Sequence, residues 1–377
     1  MRGSTSRGYS AAWLAAAMAV SFLLVLAAPF VGQLSTWIRD AAPGKYALVL
    51  AGIVAGSAIA ALGLALFRIR ERRVQRYTWV AAAITVAVSY GFVSRSGVAD
   101  VDAAERFHFV EYGLIAVLFY KAWLPSGDAS VIVRPLLAGA LVGTCEEWLQ
   151  WFVPSRVGEW RDVLLNLVAV SCGILFSIGL YPPGQVSFGL RPSSRRRVAL
   201  LAAAVIVAFG AFFQAVHLGH DIVDTDAGVF RSRYTAAELA ALSANRAELW
   251  RINPPLRAAR LSREDQYLSE GIAHVRRRNE RWSEGNVLAA RHENLILERY
   301  YAPVLDTPSY LAASASRWSA EQRAQAEQTP GGGPGFMIYD SDALPYQVFT
   351  WTLWLYWVGV ALVVAAVLRA LRVTTKV

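Results

Sequence analysis

Residues 106–124 read RFHFVEYGLIAVLFYKAWL. Arg106, His108 and Glu111 lead directly into an uncharged run that ends at Lys121 and Trp123. The pattern recurs in EEWLQWFVPSR (146–156) and RDVLLN (161–166), each next to another apolar stretch. Ionised groups are costly in hydrocarbon, so such residues face a protein interior or a wet cavity and usually serve a function. The three runs therefore predict membrane-crossing helices that turn polar side chains towards one another.

Composition supports this. The chain has 377 residues, 55% of them hydrophobic, which is above the soluble norm. A spanning helix needs roughly 17–25 apolar residues. Segments 12–36, 46–67, 77–94, 107–124, 131–152, 161–181, 198–217 and 346–369 meet that length. They are continuous runs without two-residue alternation, which excludes a membrane β-barrel. The predicted fold is all-α: a polytopic bundle of about eight transmembrane helices with a helical extracytoplasmic domain. Arg2 and Arg7 precede a first apolar run that is too long for a signal-peptide core, so it reads as an uncleaved span.

The net charge is +9, but its placement argues against nucleic acid. Residues 217–345 carry 15 Arg against 17 Asp and Glu, so the excess lies elsewhere. Sixteen Lys and Arg fall at the two termini and in the alternate short connections 68–76, 121–134 and 182–197. The opposite short connections hold six. Cytoplasmic loops concentrate Lys and Arg. Both termini are thus expected in the cytoplasm, and 217–345 outside a bacterial inner membrane. Trp37, Trp148, Trp151, Trp351 and Trp354 then fall at outer helix ends as interface anchors. Cys145 and Cys172 both lie within spans, at different depths, so no structural disulfide is expected.

Five regions follow: leading helices 1–94, a core at 95–181, one helix within 182–216, the hydrophilic segment 217–345, and a last helix with its tail at 346–377. Within 217–345, Thr235-x-x-Glu238 is a capping box that opens a helix. That helix stops before Asn253-Pro254-Pro255. Ser262 and Asp265 open a second. Asn286 caps a third, which Pro303 ends. A fourth amphipathic stretch runs over 309–328. Gly331–Gly335 reads as a hinge. Arg276-Arg277-Arg278 reads as a solvated face, and His274 and His292 as isolated surface residues. His217 and His220 stand four apart beside Asp221, a spacing that would suit a metal only on a continuous helix.

The polar set is compact in sequence. His108 and Glu111 are three apart and share a helical face, as do Glu147 and Gln150. Asp162 and Asn166 are four apart. Arg156 lies in the short connection after Pro154. Glu146 neighbours Glu147 and so points to another side of its helix. The signs mix, so Arg156 and His108 can compensate Glu111, Glu147 and Asp162.

The order His-x-x-Glu-Tyr-Gly, Glu-x-x-Gln-x-Phe-x-Pro-x-Arg, Asp-Val-x-x-Asn resembles the VanZ-like family of bacterial integral membrane proteins. The resemblance covers about 77–181. Its motif positions fall on His108, Glu111, Tyr112, Glu147, Gln150, Arg156, Asp162 and Asn166. One departure is Ala169, where members often carry Gly. The resemblance implies a cell-envelope role, and its founding member is associated with teicoplanin resistance.

Several readings of the set stand side by side. It serves as a hydrogen-bond network fixing helix register, or as a binding site for a lipid headgroup or glycopeptide-like ligand. It serves as a catalytic site of a membrane hydrolase or transferase acting on a lipid-linked phosphate, with Glu111 or Glu147 as base. One His with carboxylates is a poor zinc set, so no metal is expected, and no cofactor. The expected partners are membrane lipids, the lipid-linked or glycopeptide-like ligand, and an extracytoplasmic protein docked by 217–345 in an accessory-subunit reading. Nucleic acid is not expected.

Overall fold

The computed structural model describes residues 9–153, 156, 158–184, 187, 189–252, 264–306, 316–329 and 339–373. Seven long helices come first: α1 (Ala11–Ala41), α2 (Tyr46–Arg68), α3 (Arg73–Val93), α4 (Ala99–Trp123), α5 (Ser130–Gln150), α6 (Trp160–Leu180) and α7 (Pro192–His217). A hairpin follows, β1 (His220–Asp224) and β2 (Gly228–Ser232). Then come α8 (Ala236–Ile252), α9 (Glu264–Ser283), α10 (Val287–Tyr300), α11 (Ala302–Asp306), α12 (Ala320–Gln328) and α13 (Leu353–Val373). Among the described residues the architecture is helical apart from the two strands.

Among the described residues six helices are long and apolar enough to cross a membrane: Ala11–Ala41, Tyr46–Arg68, Ala99–Ser126, Trp160–Leu180, Pro192–His217 and Leu353–Leu371. Helices α3 and α5 are each 21 residues long. Helix α5 is not among the six because it carries Arg134, Glu146 and Glu147. Apolar side chains such as Phe22, Ile59, Phe67 and Phe92 are left mostly exposed, the opposite of a soluble core and suited to lipid.

The chain divides into two compact units. The first comprises Met1–Leu149, Trp160–Phe212 and Trp357–Val377, and the second Gln150–Glu159 and Phe213–Tyr356.

In the first unit α6 is the most buried of the six apolar helices, and glycine is the reason it can be. A Cβ on Gly173 would lie 2.7 Å from the Gly113 carbonyl and from the Ala116 side chain of α4. On the α5 side, a Cβ on Gly139 would strike Val170 of α6 at 2.4 Å. Small residues let backbones meet closely where lipid removes the hydrophobic drive for association. Tyr112, Ala116, Ala169 and Val170 fill the resulting core, so the Ala169 methyl packs without a gap. Helix α1 runs antiparallel to α4: the Ser10 amide donates to the Ala122 carbonyl (2.7 Å), and Arg39 meets Asp100 at 3.4 Å at the far ends.

Cationic connections gather at one end of this unit. Arg76 donates to the Gly179 and Leu180 carbonyls (2.8 and 2.9 Å), capping the negative end of α6. Lys121 lies over the Trp13 and Tyr181 rings, and Arg68 over Tyr181. Helix α4 begins at Ala99, eight residues before the expected 107, because the acidic turn Asp100–Asp102 favours a helix N-terminus.

In the second unit the hairpin is a correction to a purely helical segment. Its register pairs His220 with Ser232 and Asp224 with Gly228. The turn forms because the Asp224 carboxylate accepts the Asp226 and Ala227 amides, both at 3.0 Å. Gly228 has φ +102, and a Cβ there would lie 2.5 Å from the Tyr339 carbonyl. The returning chain pairs alongside: the Val229 amide donates to the Tyr339 carbonyl, and the Ser341 amide to the Val229 carbonyl. Phe349 exchanges backbone bonds with His217 and Gly219. These pairings explain why α13 starts at Leu353 rather than near 346. They also place His220 on a strand, so the four-residue helical spacing with His217 does not exist, and His217 instead meets the Gln347 carbonyl at 2.7 Å.

The expected caps of this unit are present. Thr235 and Glu238 form their reciprocal bonds, and Asn286 accepts the Ala289 amide. Pro303 lies in the first turn of α11 rather than ending α10, which stops at Tyr300. The fourth helix is shorter than 309–328, opening at a Ser319–Gln322 capping box. The expected Asn253–Pro255 stop, the Ser262 start and the Gly331–Gly335 hinge fall outside the described residues. Phe230, Leu239, Tyr267, Leu268, Ile296 and Tyr301 form the main core.

Three sequence expectations fail here. Arg278 is buried, donating to Asn294 (2.9 Å) and the Ser316 carbonyl (2.5 Å) with Trp318 beneath it; burial lowers its pKa to about 10. His274 is buried against Glu293 at 2.7 Å. Trp151 is buried, edge-on to Tyr346, with its carbonyl accepting from Gln266. In each case an amphipathic surface residue is covered by another element of the same unit.

Candidate ligand site

Six of the eight motif residues lie in the first unit, on α4, α5 and α6. His108 and Glu111 stand one turn apart on α4, with Nδ1 3.9 Å from a Glu111 oxygen. Both are partly exposed. The His108 ring stacks over Tyr112 at 6.1 Å. Tyr112 is fully buried, and its hydroxyl donates to the Glu146 carboxylate. Glu147, the next residue of α5, is also fully buried. Across from α5, Asn166 of α6 is 0% exposed. It packs against Gly143, where a Cβ would lie 3.1 Å from its Cβ and its amide nitrogen. Asp162, one turn earlier, is partly exposed.

The helices bring these groups together for local reasons. Tyr112 packs with Ala169 and Val170, one turn along α6 from Asn166. Gly143 lies one turn along α5 from Glu146 and Glu147. The small residues that allow close crossing thus set polar side chains one turn away from each crossing point.

Helical spacing directs Glu146 away from Glu147, which made it look peripheral. The fold corrects this, because α5 is covered on more than one side and Glu146 is also buried, 6% exposed. The usable signal was its cost: a second carboxylate in an apolar run needs a donor, and Tyr112 is the one supplied.

Gln150 and Arg156 fall in the second unit. There the Arg156 guanidinium donates twice to the Gln150 side-chain oxygen, at 3.1 and 2.7 Å. Within this unit the guanidinium thus has an amide oxygen as its partner.

Asn166 is the outlier of the set. Neither its amide nitrogen nor its oxygen has a hydrogen-bond partner. An unmet buried polar group costs about 1–3 kcal/mol, and a side-chain amide leaves two kinds unmet. The arrangement offers an amide donor and acceptor beside acidic side chains, which suits a ligand rich in hydroxyl or amide groups. Among the described residues no group of three or more His, Cys, Asp or Glu side chains is placed to hold a metal ion. Comparison with family models, curated proteins and solved structures returns no match to the chain.

Proposed function

We propose that this chain is a VanZ-like integral membrane protein of the bacterial cell envelope. In this reading it has eight spans, with α3 and α5 joining the six apolar helices, both termini cytoplasmic, and 217–345 outside. It binds an envelope lipid or glycopeptide-like ligand through His108, Glu111, Tyr112, Glu146, Glu147, Asp162 and Asn166. The observation that carries the proposal is the sealed, unpartnered Asn166 amide on helices that also bury Tyr112, Glu146 and Glu147. Evolution tolerates such a cost where a ligand or ordered water supplies the missing bonds.

The test compares molecules that copurify with wild type, Asn166→Leu and Glu147→Gln, identified by mass spectrometry. A lipid or glycopeptide fragment carried by wild type and lost from both variants, at unchanged yield and melting temperature, supports the reading. Identical copurified species in all three proteins sink it. A reporter fused near residue 270 that proved cytoplasmic would overturn the orientation.

A further inference from the structure

A second unpartnered polar group lies at the arginine-rich end of the first unit. Arg134 of α5 is only 4% exposed, and its Nε is sealed from solvent without a hydrogen-bond partner. No carboxylate among the described residues stands within ion-pair distance of it. Its electrostatic neighbours are Arg197 of α7 and Asp128. Arg197 repels it. Asp128 is already engaged: one oxygen accepts the Ser130 amide (3.0 Å) and hydroxyl (2.5 Å), and the other accepts the Arg191 amide (2.9 Å).

The backbone adds to the positive charge. Helices α5 and α7 both begin here, at Ser130 and Pro192, with the Ser130 and Ser194 hydroxyls 3.5 Å apart. Arg134 lies four residues into α5 from Ser130, and Arg197 three from Ser194, so both arginines follow that contact by about one helical turn. Two helix N-termini contribute positive potential at one spot. Arg191, Arg195 and Arg196 flank it. A buried cation without a hydrogen-bonded counter-ion is strongly unfavourable. Its placement beside a second arginine and two helix N-termini is explained if an anion completes the site. A guanidinium matches phosphate oxygens in a two-pronged contact, which lysine does not.

We propose that Arg134, assisted by Arg197, forms a receptor for a phosphate group at this end of the first unit. The phosphate belongs to an anionic phospholipid headgroup or to soluble phosphate. Binding at this site is independent of the ligand proposed for the Asn166 region.

The test uses the full chain in a phosphate-free maltoside detergent. Thermal unfolding is followed in the detergent alone, with added phosphatidylglycerol, and with inorganic phosphate at constant ionic strength. Wild type should melt several degrees higher with one phosphate source. Arg134→Met should lose that gain, yet melt at or above wild type in the detergent alone, because a buried charge lacking a hydrogen-bonded counter-ion is gone. Arg197→Gln, at an exposed position, should weaken the response severalfold without lowering the basal melting temperature. A gain with phosphatidylglycerol alone assigns a lipid, and a gain with inorganic phosphate assigns the soluble ion. Equal gains in wild type and both variants, or no gain in wild type from either source, would overturn the proposal.

Discussion

In the second unit Glu270 accepts four hydrogen bonds, from Ser232, Tyr301 and Tyr346 hydroxyls and the Arg233 amide. Glu293 there meets His274, Tyr339 and Ser341. In the first unit Asn166 is as deeply buried and makes none. Around Glu270 and Glu293 the cost of sealing polar groups is recovered by internal bonds, and at Asn166 it is not. A satisfied buried network rigidifies a fold, and an unsatisfied one leaves bonding capacity for something else. Glu270 and Glu293 therefore read as structural, and Asn166 and Arg134 as functional.

The sharpest way to break this contrast is Glu270→Ala. It orphans four donors and should destabilise the second unit by about 3–5 kcal/mol. Hydrogen exchange on its peptides would rise, and unchanged protection would contradict a structural role. Alkaline pH attacks the same network. Burial raises the Tyr301 and Tyr346 hydroxyls well above 10.0, helped by Glu270, and raises Tyr267 from 10.0 to about 12. A folded pKa above the unfolded one contributes fully below pH 10 and is lost as pH climbs towards 12. Tyrosinate absorbance should thus appear together with unfolding. On the acid side, burial raises the Glu293 pKa, but His274, Ser341 and Tyr339 outweigh it and hold the carboxylate low. That contribution is present above about pH 4 and fades as pH falls through the folded value.

Gly173→Ala tests the helix crossing. Its Cβ would sit 2.7 Å from the Gly113 carbonyl, so α4 and α6 must separate, at about 1–3 kcal/mol. The melting temperature in detergent should fall, and copurified ligand should be lost with it. The smallest stability effect is expected at Asn166→Leu. Because the amide makes no internal bond, the change should stay within about 1 kcal/mol of wild type or stabilise. A large loss of stability there would erase the distinction between Asn166 and the Glu270 network.

Parts of this were readable beforehand. The long apolar helices, the Thr235–Glu238 cap and the Asn286 cap follow from local pattern, because a helix and its ends are decided within a few residues. The hairpin was not readable. Its strands are five residues each, and they pair with a chain segment more than a hundred residues away as well as with each other. Arg278, His274 and Trp151 looked like surface residues because amphipathic pattern identifies a polar face, not what later covers it.

The sequence by itself determined where membrane-length helices run and which stretches concentrate polar groups in apolar surroundings, since both depend on composition along the chain. Only the tertiary structure decided which of those groups are satisfied. Tyr112 meets Glu146 across 34 residues, and Tyr346 meets Glu270 across 76. A hydrogen bond needs its partner within about 3 Å, and that proximity is a property of packing.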